Sequence, residues 1–248
     1  MRTSELVITS LRAIEEALEN PRDIIRLVVT TDPLRPRVER IVAKAHAVGI
    51  RVVYVDPQRL RQYTKERSTQ VVLLTAFRPI PSFEEIIART ADDRAFWVML
   101  WKVTNVGNLG AIIRSAFALG ARGVIWTQHG MPGFSNDLIH ASAGTALKMN
   151  LAMTTSIPRA IEYARSGGIE TWALDIKGEH SIDRIPVSQP HIWLAGAEDT
   201  GLPHHLLRQV DRIFRIPMHP QAESLNVAVS VALACYESSK HQYGISTA

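Results

Sequence analysis

A single cysteine, Cys235, stands in a chain of 248 residues. That excludes an internal disulfide framework and a multi-cysteine metal site. Cys235 lies in an apolar stretch, where a buried inert thiol is expected rather than a nucleophile. Long hydrophobic runs are missing too. No stretch of about 18 apolar residues exists, so no membrane span is indicated. The opening MRTSELVITSLRAIEEALEN mixes acids with its apolar residues and does not read as a signal peptide, so a cytoplasmic protein is expected. His129, His140, His180, His191, His204, His205 and His219 show no ligand spacing, and no metal is expected. There is no internal repeat and no low-complexity tract.

Charge is present and unevenly spread. Residues 35–67 hold Arg35, Arg37, Arg40, Lys44, Arg51, Arg59, Arg61, Lys65 and Arg67 against Glu39, Asp56 and Glu66. The window carries +6 while the whole chain carries +4, so the remainder is slightly acidic. Local positive charge of this kind marks a phosphate-backbone partner. A solvated helix face would have a similar composition, but the cluster spans more than one predicted element. Arg35, Arg37, Arg59, Arg61, Lys65 and Arg67 are the candidate RNA-binding residues.

With 46% hydrophobic residues, the chain can bury a normal core. The pattern predicts a helix over 10–19, strands at Ile25–Thr30, Arg51–Val55 and Val71–Ala76, and helices at Val38–Val48 and Pro57–Tyr63. This alternation predicts a small α/β layer domain over residues 1–78. Pro79 and Pro81 then break regular structure, and 79–94 reads as a linker. A second α/β unit is expected over 95–248. Its strands fall at 96–101, 123–127, 169–175, 191–195 and 213–217. Its helices fall at 109–119, 136–147, 158–166 and about 224–240, the last with Ser224 as N-cap.

Three short signatures punctuate this second unit. VTNVGNLGAIIRSAFALG (103–120) contains N-x-G-x-x-x-R, WLAGAEDTGLP (193–203) contains G-x-E-x-x-G, and the tail contains IPM followed by SLNV. Each alone is weak, and glycines by themselves mark turns. Together, in this order, they resemble the SpoU (TrmH) branch of the SPOUT methyltransferases. The resemblance implies transfer of a methyl group from S-adenosylmethionine to a ribose 2′-hydroxyl of RNA. It also implies an α/β fold whose C-terminal domain holds a deep trefoil knot, a preceding domain similar to ribosomal protein L30e, and a homodimer formed through the C-terminal domain. The plan is most similar to enzymes acting on 23S ribosomal RNA. Transfer RNA is an alternative substrate, and a catalytically inactive RNA-binding protein of the same fold is another reading.

Carried onto this sequence, the resemblance assigns cofactor binding to Gly196, Ile216 and Leu225; Met218, as an apolar wall, and Gly201, which with Gly196 frames Glu198 and lets backbone approach the ligand, are further candidates. It assigns catalysis to Arg114, with Asn108, Glu198, Ser224 and Asn226 around it. Asn108 is read as the cap of the helix that carries Arg114, and Glu198 as a partner for Arg114 or Asn108. Arginine keeps its proton well above neutral pH, so orienting the ribose and neutralising a phosphate suit Arg114 better than base catalysis. Proton removal relayed through that phosphate stays open. Val227, Val231, Ala234 and Cys235 suit either core or interface packing. Trp101, followed by Lys102, and Leu147 stand where many relatives have acids; both are expected on an RNA-facing or dimer-facing side. A dinucleotide-dependent oxidoreductase finds weak support in Gly107-x-x-Gly110, because G-x-G-x-x-G and the later acidic residue are missing.

Overall fold

A computed structural model of the protein describes residues 5–19, 21, 23–76, 80–128, 130–186 and 189–242. His129 and residues 77–79 lie outside this set. The chain divides into two compact units, one from residues 1–79 and Phe134–Lys148, the other from Ile80–Gly133 and Met149 onward.

The first unit runs β1 (Glu5–Ile8), α1 (Leu11–Glu19), β2 (Ile24–Thr30), α2 (Pro36–Ala47), β3 (Val52–Val55), α3 (Pro57–Leu60) and β4 (Val71–Ala76). Its sheet has the order β1-β4-β2-β3, with β4 antiparallel to both neighbours and β2 parallel to β3. Strand β1 is an edge strand that periodicity does not flag, because four residues, of which only Ile8 is buried, give little signal. Helix α2 starts at Pro36, two residues before the expected Val38. Proline at the first helical position is pre-set for the helix and has no N–H to lose.

The second unit runs α4 (Phe83–Thr90), β5 (Phe96–Leu100), α5 (Val106–Ala118) and β6 (Gly123–Thr127). Helix α6 (Asn136–Ala141) follows in the chain but belongs to the first unit. Then come β7 (Leu151–Thr154), α7 (Ile157–Ser166), β8 (Glu170–Leu174), β9 (His180–Ser181), β10 (His191–Ala195), α8 (His204–Leu207), β11 (Arg212–Arg215) and α9 (Val227–Gln242). Seven parallel strands have the order β7-β6-β5-β10-β8-β11-β9. Central strands β5 (FWVML) and β10 (HIWLA) are buried throughout, as expected where helices cover both faces of a parallel sheet.

Three expectations need correction. The segment 79–94 is not a linker beyond Pro79. Phe83, Ile86 and Ile87 of α4 are buried in the second unit's core, and Met153 N donates to Pro81 O at 3.0 Å. The single helix expected over 136–147 ends at Ala141. Ala143 and Gly144 take positive φ (52° and 90°), and a 3₁₀ turn covers Thr145–Leu147. A Cβ at Gly144 would lie 2.9 Å from Ala13 Cα, so the break lets this segment approach α1 closely. Leu147 and Trp101 point inward rather than outward. Each is partly buried against its own unit's core.

Candidate active site

Helix α5 begins at Val106 because Asn105, not Asn108, is its cap. The Asn105 side-chain oxygen accepts from Asn108 N at 3.0 Å. Asn108 is therefore the third helical residue, and its amide is free to reach outward. Its Nδ2 donates to Glu198 Oε1 at 2.9 Å, and its Oδ1 accepts from Asn226 Nδ2 at 3.1 Å. Asn226 in turn caps α9: its Oδ1 accepts from Ala228 N (2.8 Å) and Val229 N (3.4 Å). The expected cap, Ser224, stands before the helix. Asn226 is thus not a poor residue inside a first turn but a good one at a cap. One side-chain chain, Glu198–Asn108–Asn226, links all three signatures.

Next to it opens a cavity of about 360 Å³ at the C-terminal ends of β8, β10 and β11. That is the edge of a parallel sheet where ligands bind in α/β folds. Every residue proposed for cofactor binding lines it: Gly196, Gly201, Ile216, Met218 and Leu225. Glu198 and Ser224 line it as well, whereas Asn108, Asn226 and Arg114 do not. Sequence reasoning missed Asp175 and Ile176, which follow β8 and join the lining. Their position just past a strand end was the available signal. The lining acids are Asp175, Glu198, Asp199 and Glu223, with no lysine or arginine among them. Such a lining favours a ligand carrying positive charge.

The glycines have a role in the chain's own backbone geometry. A Cβ on Gly196 would lie 2.2 Å from the Gly201 carbonyl carbon and 2.4 Å from Leu202 N. Gly196 is required where the chain's own backbone crosses it, and it also lines the cavity. Gly201 has φ +62°, and its N–H donates to Ala197 O at 2.9 Å, closing the loop. Gly178 admits another crossing, since a Cβ there would meet the Phe214 carbonyl carbon at 2.5 Å.

Arg114 stands exposed on α5, whose buried face is Leu109, Ile112, Ile113 and Ala116. It makes no hydrogen bond or ion pair among the described residues, and Glu198 bonds Asn108 instead. Val227, Val231, Ala234 and Cys235 are all buried within the chain, which settles them as core. Burial pushes the Cys235 thiol up to about 12, an inert group. The exposed apolar residues of α9 are Val229, Leu233 and Tyr236.

The basic residues of the first unit separate into two sets. Arg37 is held by Glu15 through two hydrogen bonds of 2.8 and 2.7 Å, and Arg59 lies 3.6 Å from Asp56. Arg35, Arg61 and Arg67 line one cavity, and Lys65 is exposed on the same loop as Arg67.

Residues 95–236 match the model of the SpoU rRNA methylase family. The chain belongs to that family. Residues 11–81 match a second model, RNA 2′-O ribose methyltransferase substrate binding. Among SpoU relatives, the 23S rRNA (guanosine-2′-O-)-methyltransferase RlmB of Neisseria meningitidis is 24% identical over 90% of each chain. The putative TrmH family tRNA/rRNA methyltransferase YacO of Bacillus subtilis is 23% identical over 91% of each. The AdoMet-bound rRNA methyltransferase of Sinorhizobium meliloti superposes with a TM-score of 0.79 at 28% identity, covering 96% of this chain and 87% of that one. This SpoU protein is thus an RNA methyltransferase by family.

Proposed function

We propose that the protein methylates a ribose 2′-hydroxyl of RNA, with 23S ribosomal RNA as its substrate. The observation that carries this reading is the acid-lined cavity beside the Glu198–Asn108–Asn226 chain. The cofactor is S-adenosylmethionine, which supplies an electrophilic methyl on a sulfonium and bears net positive charge. Its fit rests on the four lining carboxylates and on the apolar Ile216, Met218 and Leu225. Asp175, after a strand end, is placed to accept from a ribose diol.

The chain's own residues do the rest. Asn108 holds Glu198 at the cavity rim, and Asn226, bonded to Asn108, fixes the start of α9. Ser224 lines the cavity and can accept from or donate to an incoming hydroxyl. Arg114, without a hydrogen bond or ion pair among the described residues, binds the phosphate beside the reacting ribose and aligns it. RNA contact in the first unit is carried by Arg35, Arg61, Lys65 and Arg67, while Arg37 and Arg59 are engaged by Glu15 and Asp56. Two further features belong to this reading. A trefoil knot is supported by the backbone crossings at Gly178 and Gly196. A homodimer is supported by the exposed Val229, Leu233 and Tyr236 of α9. The ribosomal substrate is supported by RlmB, which matches along nine-tenths of both chains.

The test is transfer of labelled methyl from S-adenosylmethionine to RNA lacking the modification, followed by nucleotide mapping. Label in a 2′-O-methylated 23S nucleotide is expected. Arg114→Ala should reduce transfer by about 10² or more while cofactor binding by calorimetry persists. Transfer by that variant near the original rate would remove Arg114 from the mechanism.

A further inference from the structure

The cavity bearing Arg35, Arg61 and Arg67 has a volume of about 170 Å³ and lies in the first unit. Two loops build it, one after β2 and one between α3 and β4. Gln70 staples them: its Oε1 accepts from Arg35 N at 3.0 Å and its Nε2 donates to Pro33 O at 2.8 Å. Thr30 N donates to Gln70 O at 2.9 Å, so the floor is tied to β2. The second loop is ordered by Glu66, whose carboxylate accepts from the hydroxyls of Ser68 (3.2 Å) and Thr69 (3.4 Å). The site is therefore formed before any ligand arrives.

Its three guanidinium groups make no hydrogen bond or ion pair among the described residues, in contrast to Arg37. Asp32 and Glu66 share the lining with the three guanidinium groups, which leaves it a net charge of +1, and the Glu66 oxygens are engaged by Ser68 and Thr69 of their own loop. Only Pro57 and Leu60 contribute apolar side chains, and no aromatic ring lines the space. A pocket that reads an RNA base needs a stacking surface or base-edge partners, and single-stranded bases are usually held on aromatic rings. Forked guanidinium donors without such a platform suit phosphate oxygens.

We propose that this cavity seats a backbone phosphodiester of RNA and supplies affinity without base choice. The proposal rests on the RNA-methyltransferase reading and narrows it: sequence selection would then lie outside this cavity. The experiment measures binding of the full-length protein to deproteinised 23S ribosomal RNA and to a shuffled RNA of equal length, from 50 to 200 mM KCl. Arg35→Ala, Arg61→Ala and Arg67→Ala should each weaken both RNAs by the same factor, about three- to tenfold. Each should also flatten the plot of log affinity against log salt by about one contact. Arg61→Lys should keep the slope, and Arg26→Ala, whose cation lies by Glu5, should leave both quantities unchanged. An unchanged slope in Arg61→Ala would overturn the proposal, and so would weakening confined to one RNA. Methyl transfer by the wild type is measured on the same RNA. Transfer with unchanged slopes sinks the cavity's role alone. Flattened slopes without transfer sink the reaction reading and leave the phosphate seat standing.

Discussion

Strand β10 enters the sheet at His191 and leaves it at Ala195, and helix α9 packs back along it so that each end meets a different part of the helix. At the entry, His191 is buried between Phe96 and Trp172, with Trp172 stacked at 3.7 Å between centroids. Its Nδ1 donates to Gln189 O (3.0 Å), and its Nε2 accepts the hydroxyl of Ser238 on α9 (2.8 Å). That hydroxyl's oxygen accepts from Trp193 Nε1 (2.8 Å). The neutral imidazole satisfies this pattern, and burial of the ring favours that form. At the exit, half-buried Asn108 bonds both exposed Glu198 and exposed Asn226, beside an open cavity. Buried polar groups that satisfy one another hold the helix in place; more accessible ones with spare capacity remain available to a ligand.

The largest change should come from the exit. Gly196→Ala puts a methyl 2.2 Å from the backbone of Gly201, which is not a flexible neighbour. The loop must move, and with it the cavity lining. We expect cofactor binding by calorimetry to fall below detection, and stability to drop by about 3 kcal/mol in urea melts. Retained cofactor affinity would mean that the crossing at Gly196 does not shape the cavity.

The entry should respond to pH instead. Burial lowers the pKa of His191 from 6.5 to about 4, so the folded state prefers the neutral ring. Its contribution is fully present above about 6.5 and is lost as pH falls from there towards 4. The shift is worth roughly 3 kcal/mol across that window, measurable as falling urea midpoints. His191→Phe should flatten this dependence while lowering stability at pH 7, because Ser238 and Trp193 lose a partner. A pH profile identical to the wild type would move the titration to another group.

Between these lies the hydrogen-bonded chain. Asn108→Ala removes the side chain shared by Glu198 and Asn226 but leaves the cap on Asn105 in place. We expect methyl transfer to fall about 10- to 100-fold in kcat, with cofactor affinity within a few-fold of wild type. Equal losses in kcat and cofactor affinity would make the chain part of the cofactor seat instead.

The sequence made the exit more legible than the entry. Three motifs that resemble one family gather at one sheet edge, so five cavity-lining residues could be named by number. Which asparagine capped which helix could not, because Asn105 and Asn108, like Ser224 and Asn226, are all acceptable caps by residue type. Register decides between them, and register is set by packing of the buried faces. At the entry, His191 looked like one more unplaced histidine, because stacking on Trp172 and bonding to Ser238 47 positions away leave no local trace. In the first unit the charge window was visible, but its division into paired and unpaired arginines was not. Arg37 finds Glu15 across 22 positions, while Arg35 two residues earlier keeps its guanidinium free for the cavity.

The smallest expected effect tests whether the exit carries strain that the entry lacks. Lys102 follows β5 and has φ +51°, the one positive-φ non-glycine among the described residues of the second unit. Its neighbour Trp101 donates its N–H to Ala195 O at 2.9 Å, which pins this turn to the end of β10. The Lys102 ammonium lies 5.1 Å from the Trp101 ring centroid, a contact that offsets part of the cost. Left-handed backbone costs a residue with a Cβ about 1 kcal/mol, and glycine gives back some of that through the unfolded chain. Lys102→Gly should therefore stabilise the protein by about 0.5 kcal/mol in urea melts. If it destabilises instead, the cation over the indole outweighs the backbone, and the exit holds Lys102 by attraction rather than against strain.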